Sequence, residues 1–234
     1  MSAALLRLIA CAAMLLDHIG FMVGYMPFRI VGRIAFPIFL YLICNGYRHT
    51  ASTLKYALRL GLFALLSQVP FSLMSAGRID FVNWNIFFTL LLSLLAIWAA
   101  DKMLGHRVLR WVSLVPALVM IVAYQLKWIQ SDYGARAIVT VMAIYLLERK
   151  GFQTIKAFAL GLLVGLVYYL VVQWWENNLT QWTWIQLCSL AAIPMVAAYN
   201  GQKGGPKGAI ASRLAQWGFY LFYPAHLLAL WLLF

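Results

Sequence analysis

Charge is scarce in this chain: 10% of its 234 residues are Asp, Glu, Lys or Arg, and only 6 of them are acidic. A soluble domain carries roughly a quarter of charged residues, so water is excluded as the main solvent of this surface. Long polar stretches are missing too, which leaves one domain over residues 1–234 and no separate soluble module. The three cysteines, Cys11, Cys44 and Cys188, sit singly in apolar runs, without the close spacings of a disulfide framework or a zinc site, so no metal is expected. No internal repeat is evident. The glycine-rich stretch 200–208 has neither a preceding strand nor the Gly-Lys-Ser/Thr ending of a phosphate-binding loop, so it reads as a flexible linker. The first apolar run has no A-x-A-like cleavage site behind it, and it is expected to stay as a first span.

What is present is apolar, 65% of the chain. Runs of the length that crosses a ~30 Å hydrocarbon layer follow one another from end to end. The fold class predicted is all-α, a polytopic transmembrane helix bundle of about nine spans, at 5–24, 28–47, 55–74, 84–100, 108–126, 134–147, 154–173, 182–199 and 215–234. The run at 134–147 is short between Arg136 and Glu148 and reads as tilted, partial or re-entrant. Trp84, Trp174, Trp175, Trp182, Trp184 and Tyr199 fall at span ends, the headgroup level that amphipathic rings prefer.

The net charge of +12 would suit nucleic acid, but its distribution points elsewhere. With these spans, Arg7, Arg48, Lys55, Arg59, Lys102, Arg107, Arg110, Arg149, Lys150, Lys156, Lys203, Lys207 and Arg213 fall on one side. Arg29, Arg78, Lys127 and Arg136 fall near the other, and Arg33 lies within the membrane. Short loops of a membrane protein keep their positive residues in the cytoplasm, so the N-terminus is expected there and no nucleic-acid partner is expected. Gly20 with Gly24, and Gly161 with Gly165, have the spacing that lets helices approach closely. Pro37, Pro70, Pro116, Pro194 and Pro224 each remove a backbone donor inside or at the end of a span. Asn178-Leu179-Thr180 matches a glycosylation sequon, a pattern too short to carry weight.

Ionisable groups inside a bilayer cost several kcal/mol, so they are the strongest functional signal in such a sequence. Asp17 and His18 lie in the outward half of the first span. Arg33 enters the second span after a short connection, so the two spans pair antiparallel and Arg33 comes within reach of Asp17 or His18. Asp17 and His18 point about 100° apart, so Asp17 is expected to pair with Arg33 and His18 to face substrate. The plain alternative is an Asp17–Arg33 pair that only fixes helix packing.

Arg7 and His18 are eleven positions apart, close to three whole turns, so they share a helix face with roughly 16 Å between them. A long activated donor such as an acyl-coenzyme A then fits with its phosphates on Arg7 and its thioester at His18. Histidine suits the chemistry because its ordinary pKa lies near neutrality, so it takes a proton from an attacking amine or hydroxyl and returns it to the leaving group. Arg48, Lys55 and Arg59 are further candidates for the donor phosphates, with topological charge as the competing explanation. Asn85, Asp132-Tyr133 and Tyr223-Pro224-Ala225-His226 fall on the same outer half as His18. Asn85, Tyr133 and Tyr223 are the candidate acceptor-site residues, and His226 is the second candidate catalytic histidine. His49 and His106 lie in basic loops and are expected to be solvated.

At these residues the chain resembles the TraX family of bacterial inner-membrane proteins. The resemblance rests on Met14-Leu15-Leu16-Asp17-His18-Ile19-Gly20 and Gly32-Arg33-Ile34-Ala35-Phe36-Pro37-Ile38-Phe39. Asn85-Ile86-Phe87-Phe88, Asp132-Tyr133-Gly134 and Tyr223-Pro224-Ala225-His226-Leu227 extend it in order to the end of the chain. It implies a multi-pass protein of the bacterial inner membrane and transfer of an acetyl group, in the founding type to the amino terminus of conjugative pilin. The Arg7-to-His18 spacing is also similar to the Arg-x10-His pattern of the acyltransferase-3 membrane enzymes, whose histidine is taken as catalytic and whose donor is acyl-coenzyme A.

The expectation is therefore an integral-membrane acyltransferase that uses acetyl-coenzyme A. Its acceptor would be a protein, glycan or lipid at the membrane, and membrane lipids would surround it. Catalysis is assigned to His18, Asp17, Arg33 and His226. A proton-coupled transporter that uses the same buried Asp, His and Arg is the alternative, and a noncatalytic scaffold held by the ion pair is a third.

Overall fold

The computed structural model describes every residue except Lys207, and the side chains of Trp111, Ala209, Ile210, Ser212 and Arg213 also lie outside the described residues. Lys207 and the Arg213 side chain, both counted above with the basic flank, are thus not placed. Eleven α-helices account for nearly all regular structure among the described residues: α1 (Ala3–Val23), α2 (Met26–Gly32), α3 (Ala35–His49), α4 (Thr53–Ala76), α5 (Ile86–Leu104), α6 (Val115–Gln125), α7 (Gly134–Arg149), α8 (Thr154–Trp175), α9 (Gln181–Ile185), α10 (Ala192–Ala197) and α11 (Ala209–Leu233). Two strands of two residues each, β1 (Asn83–Trp84) and β2 (Gln130–Ser131), pair in parallel. The chain is an all-helical membrane protein, and five stretches among the described residues are long and apolar enough to cross a bilayer: α1, Met26–His49, α4, α5 and α8.

The helix breaks follow the prolines. Pro37 cannot donate to the carbonyl of Arg33, and the second span divides there into α2 and α3. Across the break Arg33 N and Ile34 N bond back three residues, to Ile30 O and Val31 O. In the fifth run α6 begins at Val115, with Pro116 in its first turn, after a 3-10 turn at Leu109–Val112. The eighth is divided into α9, a 3-10 stretch at Gln186–Ala191, and α10, which contains Pro194. Pro70 and Pro224, by contrast, lie inside continuous α4 and α11. The helix α7 has 16 residues, roughly 24 Å at 1.5 Å per residue, short of a full hydrocarbon layer as its sequence led one to expect.

Side-chain exposure agrees with a lipid solvent. On α4 the large apolar residues Leu54, Leu58, Leu62 and Leu65, spaced three or four apart, are each about half exposed or more. Such a stripe on one face would drive association in water, whereas in hydrocarbon it is the outer surface.

The backbone falls into two compact units. The first comprises residues 1–42, 65–80 and 179–234. Gly24, in the left-handed region at φ 69°, closes α1, and Tyr25 N bonds back to Gly20 O at 2.9 Å, which turns the chain sharply into α2. In this unit α1 and α11 also meet. Residues 1–4 run alongside the linker before α11: Asn200 N donates to Met1 O at 2.9 Å, Ala3 N to Gln202 O at 2.9 Å and Ala4 N to Lys203 O at 3.0 Å. Further along, Arg7 of α1 lies over Phe219 of α11 and His18 meets His226. Both helices therefore start at the same end and run parallel.

The second unit comprises residues 43–64 and 81–178. The helices α7 and α8 pack here through Gly161, where an added Cβ would stand 2.9 Å from Ile144 N, and Gly165, where it would stand 3.0 Å from Thr140 Cβ. The β1–β2 ladder sets the starts of α5 and α7 side by side. Thr89 Oγ1, 2.7 Å from Ser131 Oγ, donates to Asp132 O at 2.6 Å and ties α5 to the turn before α7.

Candidate functional site

The sharp α1–α2 turn lays α2 against the C-terminal part of α1, and that contact builds the ionic part of the site. Arg33 Nη2 donates to Asp17 Oδ1, and Arg33 Nε donates to Arg29 O at 3.1 Å. Arg29 Nη1 donates to Asp17 Oδ2 at 2.8 Å and to Asp17 O at 3.2 Å. Asp17 and Arg33 are 9% and 6% exposed, so this is a buried ion pair. Arg29, assigned from sequence to the basic residues near the outer boundary, instead turns back onto Asp17. Its guanidinium also lies 5.4 Å from the Phe21 ring and 5.5 Å from the Trp182 ring, each within cation–π reach. The signal for this was present: Arg29 and Arg33 are four residues apart, on one face of α2.

Gly32 makes the approach possible. A Cβ at position 32 would stand 2.6 Å from Asp17 Oδ1 and 2.7 Å from Asp17 Cγ, in the space the carboxylate occupies. Gly32→Ala is therefore expected to push α2 off α1, destabilise the protein by about 1–3 kcal/mol and disturb the ion pair. Thermal unfolding in detergent, compared with Ala at open Gly218, measures it.

Beside this cluster stands a pair of histidines. His18 Nδ1 is 2.8 Å from His226 Nε2, and the ring planes differ by 15° with centroids 5.1 Å apart. A nitrogen–nitrogen bond of that length plus one ring radius on either side spans the centroid distance, so the rings meet edge to edge and the bond lies near both planes. His226 Nδ1 is 2.8 Å from Phe222 O, one turn earlier on α11. The Phe222 ring stacks on His226 at 4.7 Å, and the buried Tyr223 ring lies 5.5 Å from His226 and 6.4 Å from His18.

Four candidate residues from the sequence, Asp17, His18, Arg33 and His226, thus gather in the first unit with Tyr223. Arg7 lies on the same helix as His18, with its guanidinium 5.9 Å from the Phe219 ring, and both residues contact α11. From sequence, His18 was paired with substrate and His226 kept as a second candidate catalytic histidine, without a direct bond between the two rings; the structure supplies that bond.

The other candidates belong to the second unit. Asn85 is fully buried and caps α5: its Oδ1 accepts from Phe87 N at 3.0 Å and its Nδ2 donates to Ala64 O at 2.7 Å. Tyr133 has φ 61° and opens α7. Arg48 donates to Glu148 Oε1 at 2.7 Å and to Thr154 Oγ1 at 3.4 Å. Lys55 and Arg59 make no ion pair among the described residues, and Arg59 lies over the Tyr56 ring at 5.8 Å. One cluster in this unit had no sequence forecast. Asp101 accepts from Tyr47 OH at 2.7 Å, Tyr145 OH at 2.5 Å and Arg149 Nη1 at 2.9 Å, which joins the C-terminal ends of α3, α5 and α7. The described residues include no group of three or more His, Cys, Asp or Glu able to hold a metal ion.

The family model described as "TraX protein" matches residues 2–234. The chain belongs to the TraX family. A curated relative of this TraX chain is the "Probable fimbrial assembly protein FimC, serogroup H1" of Dichelobacter nodosus. It is 30% identical over 244 residues, a match that covers 97% of the chain and 93% of the relative. No solved structure matches.

Proposed function

We propose that this TraX protein is an acyltransferase of the bacterial inner membrane, which moves an acetyl group from acetyl-coenzyme A to an amine or hydroxyl of an acceptor in or across the membrane. The observation that carries the reading is the position of His18. It is an intramembrane histidine with one ring nitrogen bonded to His226 and the other, Nε2, without a hydrogen bond among the described residues, on the same helix as a cation about three turns away. Structural histidines in apolar surroundings commonly satisfy both nitrogens, whereas a general base needs one left over.

In the proposed step His18 Nε2 takes the proton from the acceptor amine or hydroxyl as its nitrogen or oxygen bonds to the acyl carbon. The carbon–sulfur bond of the thioester then breaks, and the proton passes from His18 to the departing sulfur. Arg7 holds donor phosphates, and the Asp17–Arg33 pair with Arg29 fixes the electrostatic surroundings of the base. The fimbrial-assembly name of the relative and the pilin acceptor of the founding type favour a pilus or fimbrial subunit as the first acceptor to test, before glycans and lipids.

The test is mass spectrometry of envelope proteins, glycans and lipids from cells with and without the chain, followed by transfer of labelled acetyl-coenzyme A to whichever species loses an acetyl mass. With that acceptor, Arg7→Gln is expected to raise KM for acetyl-coenzyme A about tenfold, since a charge-assisted contact is worth about 1.5–3 kcal/mol, and to change kcat little. The absence of any species that loses acetyl mass would reject the reading.

A further inference from the structure

The contacts of His226 determine where the protons lie. A carbonyl oxygen only accepts, so at 2.8 Å from Phe222 O the Nδ1 of His226 must carry hydrogen. In a neutral ring the Nε2 of His226 then holds the lone pair, and its bond to His18 Nδ1 requires the hydrogen to be on His18. A neutral His18 so bonded has its lone pair at Nε2. One backbone carbonyl thereby sets the tautomer of two rings in succession and leaves a single basic nitrogen at the end of the series.

Asp17 does not do this work. Although adjacent in sequence, it points about 100° away around the helix, and both its carboxylate oxygens accept from Arg29 and Arg33. The ring that orients His18 comes from α11, held by the stack on Phe222. The geometry points to His226 as a positioning residue for His18: it fixes the Nδ1–H tautomer of His18 and, when Nε2 takes a proton, accepts the strengthened Nδ1–H bond and spreads the positive charge over two rings. An imidazole thus fills the place that a carboxylate fills in a Ser-His-Asp triad. The proton count is closed within the site. One proton enters at His18 Nε2 from the acceptor and leaves from the same nitrogen to the thiolate, while His226 ends as it began. This inference rests on the acyl-transfer reading for its kinetic consequence, but its tautomeric content stands without it.

Two measurements test it separately. The chain has four histidines, so nitrogen-15 NMR of the full-length, histidine-labelled protein in detergent or nanodiscs resolves each ring. The expected spectrum at neutral pH has His18 and His226 protonated at Nδ1 only, opposite to the Nε2–H form that free imidazole side chains prefer. In His226→Leu the His18 signals shift toward that free form. An Nε2–H tautomer for His18 in the wild type overturns the proposal whether or not the chain transfers acetyl groups.

The second measurement is kinetic. His226→Leu is expected to lower kcat about 100-fold with KM for acetyl-coenzyme A within about twofold. His226→Gln, whose side-chain oxygen reaches the place of Nε2 and accepts from His18 Nδ1–H, restores at least about tenfold of that loss. His226→Asn, whose oxygen falls short at the place of Nδ1, does not. Unfolding temperatures of the three variants separate lost positioning from lost folding. Equal kcat in the Leu and Gln variants at equal stability, or an unchanged kcat in the Leu variant, overturns it. If the wild-type chain transfers no acetyl group while the NMR result holds, the acyl-transfer reading has failed and the tautomer assignment has not.

Discussion

Replacement of His18 by alanine is expected to reduce acetyl transfer about a thousandfold while the protein still inserts, extracts and unfolds like the wild type. The magnitude follows from its role. A positioned general base contributes about 100- to 10,000-fold. The loss is expected in kcat, because in the proposed step His18 acts on the acceptor proton in the transition state and Arg7, some three turns away, holds the donor. Stability is expected to change little: His18 is only part-buried, and His226 keeps its bond to Phe222 O when the partner ring is gone. The assay is transfer of labelled acetyl-coenzyme A by purified protein, with thermal unfolding alongside. Activity in His18→Ala within tenfold of wild type would reject the base assignment. Substrate flux across vesicles without any covalent product would favour the transporter alternative.

The second large effect concerns Asp17. Replacing Asp17 with leucine leaves Arg33, 6% exposed, and Arg29 in low dielectric without the carboxylate that both contact. Removing one partner of a buried pair costs about 3–5 kcal/mol, because the remaining charge is neither hydrated nor neutralised. The unfolding midpoint in detergent is expected to fall accordingly. The informative comparison is the double variant Asp17→Leu with Arg33→Leu, which removes both charges and should recover a large share of the loss. An unchanged midpoint in the single variant would show that the pair contributes nothing net. Recovery of stability without activity in the double variant would separate the two functions of the cluster: the charges would then be dispensable for folding and necessary for the electrostatics around His18.

The ionic cluster was largely legible in advance. A short connection between two apolar runs imposes an antiparallel pair, and an Asp near the end of one run faces an Arg near the start of the next. Arg29 was missed because, at the very start of the second span, it was counted as a flank charge. The α2 helix begins three residues before it and brings it one turn from Arg33, on the same face. The breaks in the second, fifth and eighth runs lie just before Pro37, Pro116 and Pro194, while Pro70 and Pro224 stay within continuous helices. A proline marks where the backbone ladder loses a bond, and the packing around it decides whether the helix divides there.

The sequence by itself determined that this is an all-helical chain in a lipid solvent, where its long apolar helices lie, and that Asp17, His18 and Arg33 form its central polar group. These are local properties. Segment length against hydrocarbon thickness, internal satisfaction of backbone bonds, and the cost of each buried charge are all set within a few turns of one helix. Only the tertiary structure decided that His18 is bonded to His226, 208 positions away, through its Nδ1. That bond depends on α1 and α11 running parallel in one register, with residues 1–4 bonded to 198–203 at their common end. A hydrogen bond between two rings is sensitive to a fraction of an ångström in helix placement, and no spacing within either helix records that distance.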